Sequence, residues 1–149
     1  MSFALDIRKF VEKAKDRADI AVKGTMIGVA AKVDERSPVG DAKYWKHPPP
    51  KGYVGGRFRG NWQLGVGSMP GGVLNRVDPT GSKVMAEIGA AIPGEAAGKV
   101  YYLANNLPYA QRIENGWSRQ APTGVVGLTV TEFQAFVDKA VADAKAARP

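Results

Sequence analysis

Histidine and glutamate are among the side chains that transfer protons in enzymes, and here neither type is placed to do so. The one histidine, His47, precedes three prolines. Between that segment and the last predicted helix the only glutamates are Glu87, Glu95 and Glu114. Their spacing brings no two of them together as an acid and base pair. We therefore expect no catalytic residues.

Metal and phosphate chemistry are equally poorly supported. The chain has no cysteine, which excludes a disulfide, a thiolate metal site and a cysteine nucleophile. The glycine-rich segment from Gly55 to Gly60 lacks the glycine-lysine-serine/threonine ending of a phosphate-binding loop, and no helix is predicted after it. We therefore expect no metal, no cofactor and no enzymatic activity.

Aromatic and basic residues alternate in one segment, which is the strongest functional signal. Its members are Tyr44, Trp45, Lys46, Lys51, Tyr53, Arg57, Phe58, Arg59 and Trp62. Tryptophan, tyrosine and arginine are enriched at binding hot spots. A protein neighbour would bury the rings and pair the arginines with carboxylates, whereas a nucleic acid would place phosphates on the cations and stack bases on the rings. A third alternative is a segment folded onto its own domain.

A second cluster runs from Tyr109 to Trp117. Tyr109 and Ile113 are four residues apart, so they can face the core from a short helix. Arg112 and Glu114 then face outward, toward an adjacent subunit or toward solvent.

Charge is unevenly distributed along the chain. Of the net charge of +7, residues 1–60 contribute +6, from 13 basic and 7 acidic side chains. Residues 37–60 alone hold five basic side chains against Asp41. A polyanion would therefore meet this segment first.

A long helix is predicted over residues 1–36. Apolar and small residues recur at three- or four-residue steps from Ile7 to Val29, and the serine before Pro38 ends the pattern. At 1.5 Å per residue such a helix spans about 50 Å, so part of it must project or bend. Gly24 and Gly28 mark either weak points or close packing against a strand.

The remainder is predicted to be an irregular loop over 37–60, followed by an antiparallel sheet of about four strands. Alternating apolar residues place those strands near 62–66, 73–77, 84–90 and 100–104, with a hairpin turn at 78–82. A short helix over 109–115 ends at Gly116. A capping box of Thr129 and Glu132 begins a terminal amphipathic helix, expected to pack on the sheet.

These elements predict a single α+β domain over 1–149, with a long helix (1–36), a basic aromatic loop (37–60), and a sheet with carboxy-terminal helices (61–149). The apolar uncharged runs fall well short of the ~20 residues that cross a bilayer. The amino terminus has no apolar signal core. We therefore expect no membrane span, and a protein that stays in the compartment where it is made.

Five short motifs carry a family resemblance by their order and spacing. They are RSPVGD at 36–41, KGY at 51–53, GRFRGNW at 56–62, NLPYA at 106–110 and ENG at 114–116. Together they resemble the tail-completion, or head–tail joining, proteins in the neck of long-tailed double-stranded DNA bacteriophages.

The resemblance implies a long amino-terminal helix, an antiparallel sheet and a carboxy-terminal helix on that sheet. It implies a structural virion protein, assembled in the host cytoplasm and located at the head-proximal end of the tail. Copies would form a ring, commonly of six subunits, that joins the head connector or stopper protein to the tail terminator or tail tube. Genomic DNA would pass through the lumen without sequence-specific contact, and neither a reaction nor a membrane is involved.

On this reading the two clusters are subunit interfaces. Trp45, Tyr53, Arg57, Arg59 and Trp62 are expected at one interface, and Glu114 and Trp117 near another. The alternative is a basic nucleic-acid-binding module that uses residues 43–62.

Overall fold

A computed structural model describes residues 2–149 of the chain. Its helices are α1 (Phe3–Arg36), α2 (Ser82–Ala91), α3 (Ala110–Glu114), α4 (Val126–Val130) and α5 (Phe133–Ala147). Two strands, β1 (Trp62–Val66) and β2 (Tyr101–Asn105), form its sheet, and short 3-10 turns cover Ala42–Tyr44 and Arg59–Asn61. The α+β class is confirmed.

The long first helix is confirmed, and its ends have local causes. The Ser2 hydroxyl accepts a hydrogen bond from the Leu5 N–H at 3.3 Å, which satisfies one of the free donors of the first turn. At the other end Ser37 is extended because Pro38 follows it, and the Ser37 N–H donates to the Asp34 carbonyl.

Helix α5 runs antiparallel along α1. At one end of the pair, Arg36 donates to Glu132 at 2.8 Å; at the other, Arg148 pairs with Asp16 at 2.8 Å. Between them Gly24 lies so close to Ala140 that a Cβ on the glycine would be 3.2 Å from the alanine Cβ. The expectation that α5 packs on the sheet is therefore wrong, since its main partner is α1.

The glycines of α1 allow this close approach. Gly28 lies against the Phe136 ring, as Gly24 lies against Ala140. Of the two alternatives for these glycines, close packing is the one observed, but the expected strand partner is incorrect. The partner is helix α5. Small residues such as glycine let two helix backbones approach each other closely.

Residues 3–15 of α1, called the arm below, extend beyond the part of the helix that α5 follows. Every residue from Phe3 to Lys15 except Lys13 is exposed. Thirteen helical residues span about 20 Å. The projection predicted from the helix length is therefore present.

The sheet has two strands within the described residues, not the four predicted. β1 pairs antiparallel with β2, with Trp62 opposite Asn105 and Val66 opposite Tyr101. The predicted strand at 84–90 is instead helix α2. Val84, Ile88 and Ile92 are buried, whereas Ala86 and Ala90, which would share their face in a strand, are exposed.

The turn at 78–82 leads into α2 rather than into a hairpin. The Asp78 carboxylate accepts a hydrogen bond from the Val84 N–H at 2.9 Å, and Gly81 precedes the helix with φ +78°. This side-chain contact supplies an acceptor that the first turn of a helix otherwise lacks.

Segment 73–77 is irregular, so the strand predicted there is also wrong. Side-chain hydrogen bonds connect this segment to residues 60 and 61. The Leu74 N–H donates to Asn61 Oδ1 at 2.8 Å, and Arg76 Nε donates to the Gly60 carbonyl at 2.7 Å. The side-chain amide of Asn61 and the guanidinium of Arg76 thus take the place of the backbone hydrogen bonds that a strand would make.

The capping box predicted at Thr129 is wrong as well. Thr129 lies inside α4 and donates to the Val125 carbonyl at 2.8 Å. Glu132 precedes α5 but its carboxylate binds Arg36 rather than the helix start. A long-range ion pair thus replaces the local cap.

The core lies between α1, α2 and the sheet. Its fully buried members include Val33, Phe58, Trp62, Val84 and Val125. None of the helices within residues 2–149 combines the length and apolar character needed to cross a membrane.

Candidate partner-binding groove

A groove of about 580 Å³ separates the 37–60 loop from α3 and the segment after it. Its aromatic lining comes from both predicted clusters: Tyr44, Trp45, Tyr53, Phe58, Tyr109 and Trp117. The two clusters therefore meet at one place, whereas two separate interfaces were expected from the sequence.

The rings of the groove contact one another. Trp45 and Tyr53 have centroids 4.7 Å apart at an interplanar angle of 55°. Phe58 lies under the loop, 6.4 Å from the Tyr109 ring, and is itself buried. Trp45, Tyr53 and Trp117 remain exposed, so the upper part of the groove is open to a partner.

Two arginines line the same groove. Neither the Arg57 nor the Arg119 guanidinium makes a hydrogen bond or ion pair with any part of the chain from Ser2 onward. Burial raises the pKa of the Tyr109 hydroxyl, while the charge of nearby Arg57 acts in the opposite direction. The groove thus combines apolar walls with positive charge that has no acidic partner.

Asp41, the acidic residue of the lining, and two basic residues next to the groove are already engaged. Asp41 accepts a hydrogen bond from the Lys43 N–H at 3.0 Å and pairs with the Lys43 ammonium at 3.3 Å. Lys43 contacts hold the pKa of Asp41 below its ordinary value. On the opposite wall the Arg112 guanidinium lies 5.2 Å from the centre of the Trp117 ring.

Arg59 and Trp62 lie beneath the groove and interact within their own subunit. Arg59 donates to the Pro79 carbonyl at 2.7 Å and to the Ser37 carbonyl at 2.9 Å. Trp62 is 5% exposed, and its indole N–H donates to Ser37 Oγ at 2.7 Å. Of the loop residues predicted at an interface, Trp45, Tyr53 and Arg57 are thus the three with exposed side chains.

The base of the loop is closed. Gly55 lies so close to Gly40 that a Cβ on Gly55 would overlap the Gly40 carbonyl oxygen. Together with the Arg59 contact to Ser37, this approach brings the two ends of segment 41–54 together.

Glu114 faces its own chain rather than a neighbour's arginine. Its carboxylate accepts hydrogen bonds from the N–H groups of Val125, Val126 and Gly127, at 3.0, 2.9 and 2.9 Å. Burial raises the pKa of Glu114, but these three donors outweigh it and leave the pKa below its ordinary value. Glu114 therefore orders the start of α4.

A buried carboxylate that sequence reasoning missed lies next to Arg59. Asp34 is 5% exposed, and its Oδ1 has no hydrogen-bond partner among residues 2–149. Burial raises its pKa to about 6, with Arg59 lowering it and Asp78 raising it. Gly81 lies against Asp34, where any Cβ would overlap the carboxylate. The available signal was the helical period, which places Asp34 on the same side of α1 as Ala30 and Ser37, both of which are buried.

The residues considered for catalysis are dispersed. His47 and Glu95 are exposed, while Glu87 pairs with Arg76. Across residues 2–149 no three histidine, aspartate or glutamate side chains come together as a metal site. Within residues 2–149, the groove is therefore where the aromatic and basic side chains of both predicted clusters come together.

No family model, curated protein or solved structure matches this chain.

Proposed function

We propose that this chain is a structural subunit of a ring in the neck of a long-tailed bacteriophage, where it completes the tail and joins it to the head connector. The ring is hexameric in this proposal, as the family resemblance of the sequence motifs suggests. Genomic DNA passes through its lumen, and the subunit carries out no reaction.

The apolar surface of the arm is the observation that supports this proposal most. Phe3 is 81% exposed and Phe10 is 70% exposed, and Ile7 and Val11 are exposed beside them. Fully burying one such side chain is worth about 1.5–3 kcal/mol. A contiguous exposed apolar surface of this kind is typical of a protein–protein interface.

The spacing of these residues favours a helical contact. Phe3, Ile7, Phe10 and Ala14 recur at steps of four, three and four residues along one side of α1. Basic and acidic residues flank this side, so the arm is amphipathic. In the proposed ring the arm of each subunit packs on the body of the next copy, a head-to-tail contact that closes by rotation.

The arm can be tested without disturbing the core. We expect the wild-type protein to form closed rings in native mass spectrometry and light scattering, either alone at high concentration or with connector and tail proteins. Phe3→Ser with Phe10→Ser should prevent ring formation, because the arm then offers little apolar area.

A matched control is Met69→Ser, which removes an exposed apolar side chain outside the arm. It should assemble like the wild type, and all variants should keep the same circular dichroism spectrum. Rings of unchanged size from the double arm variant would show that the arm is not the subunit contact. A wild-type protein that stays monomeric with all neck partners present would contradict the proposed function.

Nucleic-acid binding is the second candidate, supported by the exposed basic loop. Lys46, Lys51 and Arg57 are all exposed near the rings. Electrophoretic binding to duplex DNA at two salt concentrations separates the candidates. Tight binding with a steep salt dependence, and no ring under any condition, would favour the nucleic-acid module.

A further inference from the structure

We infer that the groove binds an extended, carboxylate-bearing peptide segment of a different protein. The inference concerns a surface separate from the arm and does not depend on ring formation. It follows from the juxtaposition of exposed aromatic rings with two arginines that have no acidic partner.

The size of the groove suits a few residues of extended chain. Its volume of about 580 Å³ lies within the range of roughly 300–1,000 Å³ typical of pockets that enclose a compact ligand. Trp45 and Tyr53 line one wall and Trp117 lines another, so alternate side chains of a peptide can pack on rings.

The charge of the groove selects an anionic partner. Arg57 and Arg119 have no ion pair within the described chain, and the one acidic lining residue, Asp41, is paired with Lys43. A guanidinium binds a carboxylate through two parallel hydrogen bonds in a fixed plane. Two glutamate or aspartate side chains of the partner would meet these two cations.

Charge also argues against a second copy of this chain as the occupant. The arm has four basic residues (Arg8, Lys9, Lys13 and Lys15) and two acidic ones (Asp6 and Glu12), a net charge of +2. The 37–60 loop has five basic side chains and one acidic side chain. Either segment would bring like charge to the groove, so the complementary segment belongs to another protein.

The ring geometry favours a peptide over single-stranded nucleic acid. A base stacks on an aromatic side chain through a ring face that no other group covers. Trp45 and Tyr53 are tilted against each other, and Arg112 lies over one face of Trp117. Trp45 and Tyr53 thus contact each other and one face of Trp117 is already occupied, which favours small aliphatic and proline side chains over bases.

Tryptophan fluorescence provides a direct binding assay, because Trp45 and Trp117 are in the groove and Trp62 is buried. The probe is a synthetic repeat of glutamate, proline and leucine, and its matched control has glutamine in place of each glutamate. We expect the glutamate peptide to shift the emission and the glutamine peptide to bind at least about tenfold more weakly, since a charge-assisted hydrogen bond contributes more than a neutral one.

Variants then locate the contact. Arg57→Gln and Arg119→Gln should each weaken binding of the glutamate peptide about tenfold, the effect of removing one charge-assisted contact. Lys83→Gln, a neutralised cation on the exposed side of α2, should bind like the wild type. Circular dichroism confirms that each variant is folded.

Three outcomes would overturn the inference. Equal binding of the glutamate and glutamine peptides would remove the role of charge, and unchanged binding by both arginine variants would place the site elsewhere. Tighter binding of an oligothymidylate than of the glutamate peptide would assign the groove to nucleic acid. The same assay on the Phe3→Ser, Phe10→Ser double variant tests the groove independently of ring formation. This variant should bind the glutamate peptide like the wild type even though it forms no ring.

Discussion

The indole of Trp62 donates a hydrogen bond to the hydroxyl of Ser37 at 2.7 Å, and both side chains are buried. The Ser37 hydroxyl in turn donates to the Val33 carbonyl at 2.7 Å. This chain of hydrogen bonds links the end of α1 to the start of β1. The residue that precedes Pro38 therefore also fixes Trp62, whose ring packs against the groove residue Phe58.

Ser37→Ala should destabilise the protein by about 1–3 kcal/mol, because the buried indole N–H then lacks an acceptor. Urea unfolding of the single variants, Trp62→Phe and the double variant gives the coupling energy. We expect Ser37→Ala to cost less in the Trp62→Phe background, where no N–H needs an acceptor. Identical costs in the two backgrounds would show that the hydrogen bond contributes nothing.

Asp34 should make stability fall as pH rises. Its pKa increases from 3.8 to about 6 on folding, so the folded state binds more protons between those values. The free energy of unfolding that Asp34 contributes is therefore lost as pH rises from about 4 through 6. Between pH 4 and pH 7, the free energy of unfolding of Asp34→Asn should therefore rise by roughly 1–3 kcal/mol relative to that of the wild type.

The measurement for Asp34 is urea unfolding of wild type and variant across this pH range. Asp138→Asn serves as the control, because that carboxylate is exposed on α5. A difference between Asp34→Asn and wild type that stays constant with pH would contradict a raised pKa.

Glu114 should have the opposite pH dependence. Its pKa is lowered below 4.5 on folding, so its contribution is present above that pH and is lost as pH falls through the folded value. Glu114→Gln should cost about 1 kcal/mol at pH 7, as loss of a helix cap does. The cost should shrink in acid, and Glu95→Gln, exposed and distant in sequence, should show no such trend.

Gly24→Leu should separate α1 from α5. A Cβ at this position is already 3.2 Å from the Ala140 Cβ, and a larger side chain would overlap the facing helix. We expect a loss of about 1–3 kcal/mol in thermal or urea unfolding. Ala140→Gly should recover part of that loss in the double variant; if it only adds to the loss, the two residues do not limit the approach of the helices.

Local sequence signals predicted the elements whose causes are local. The end of α1 follows from Pro38, and the end of the short helix follows from Gly116, which has φ +85°. Segment 84–90 was misread because alternation and a four-residue step fit the same residues. The exposure of Ala86 and Ala90, which alternation alone cannot reveal, distinguishes the helix from a strand.

The groove depends on contacts that periodicity cannot reveal. Arg57 and Trp117 are separated by sixty residues and meet only in the folded chain. Glu114 was predicted to face outward because the N–H groups that bind it lie after a loop. Composition identified most of the exposed ring and guanidinium groups, but not the surface they share.

The closed base of segment 41–54 has a consequence for the kinetics of recognition. With Gly55 against Gly40 and Arg59 bound to Ser37, the segment has lost much of its conformational freedom before any encounter. A ligand that enters need not fold this segment, so less entropy is lost on association than with a free tail of equal length. Differences among ligands should then appear chiefly as differences in dissociation rate.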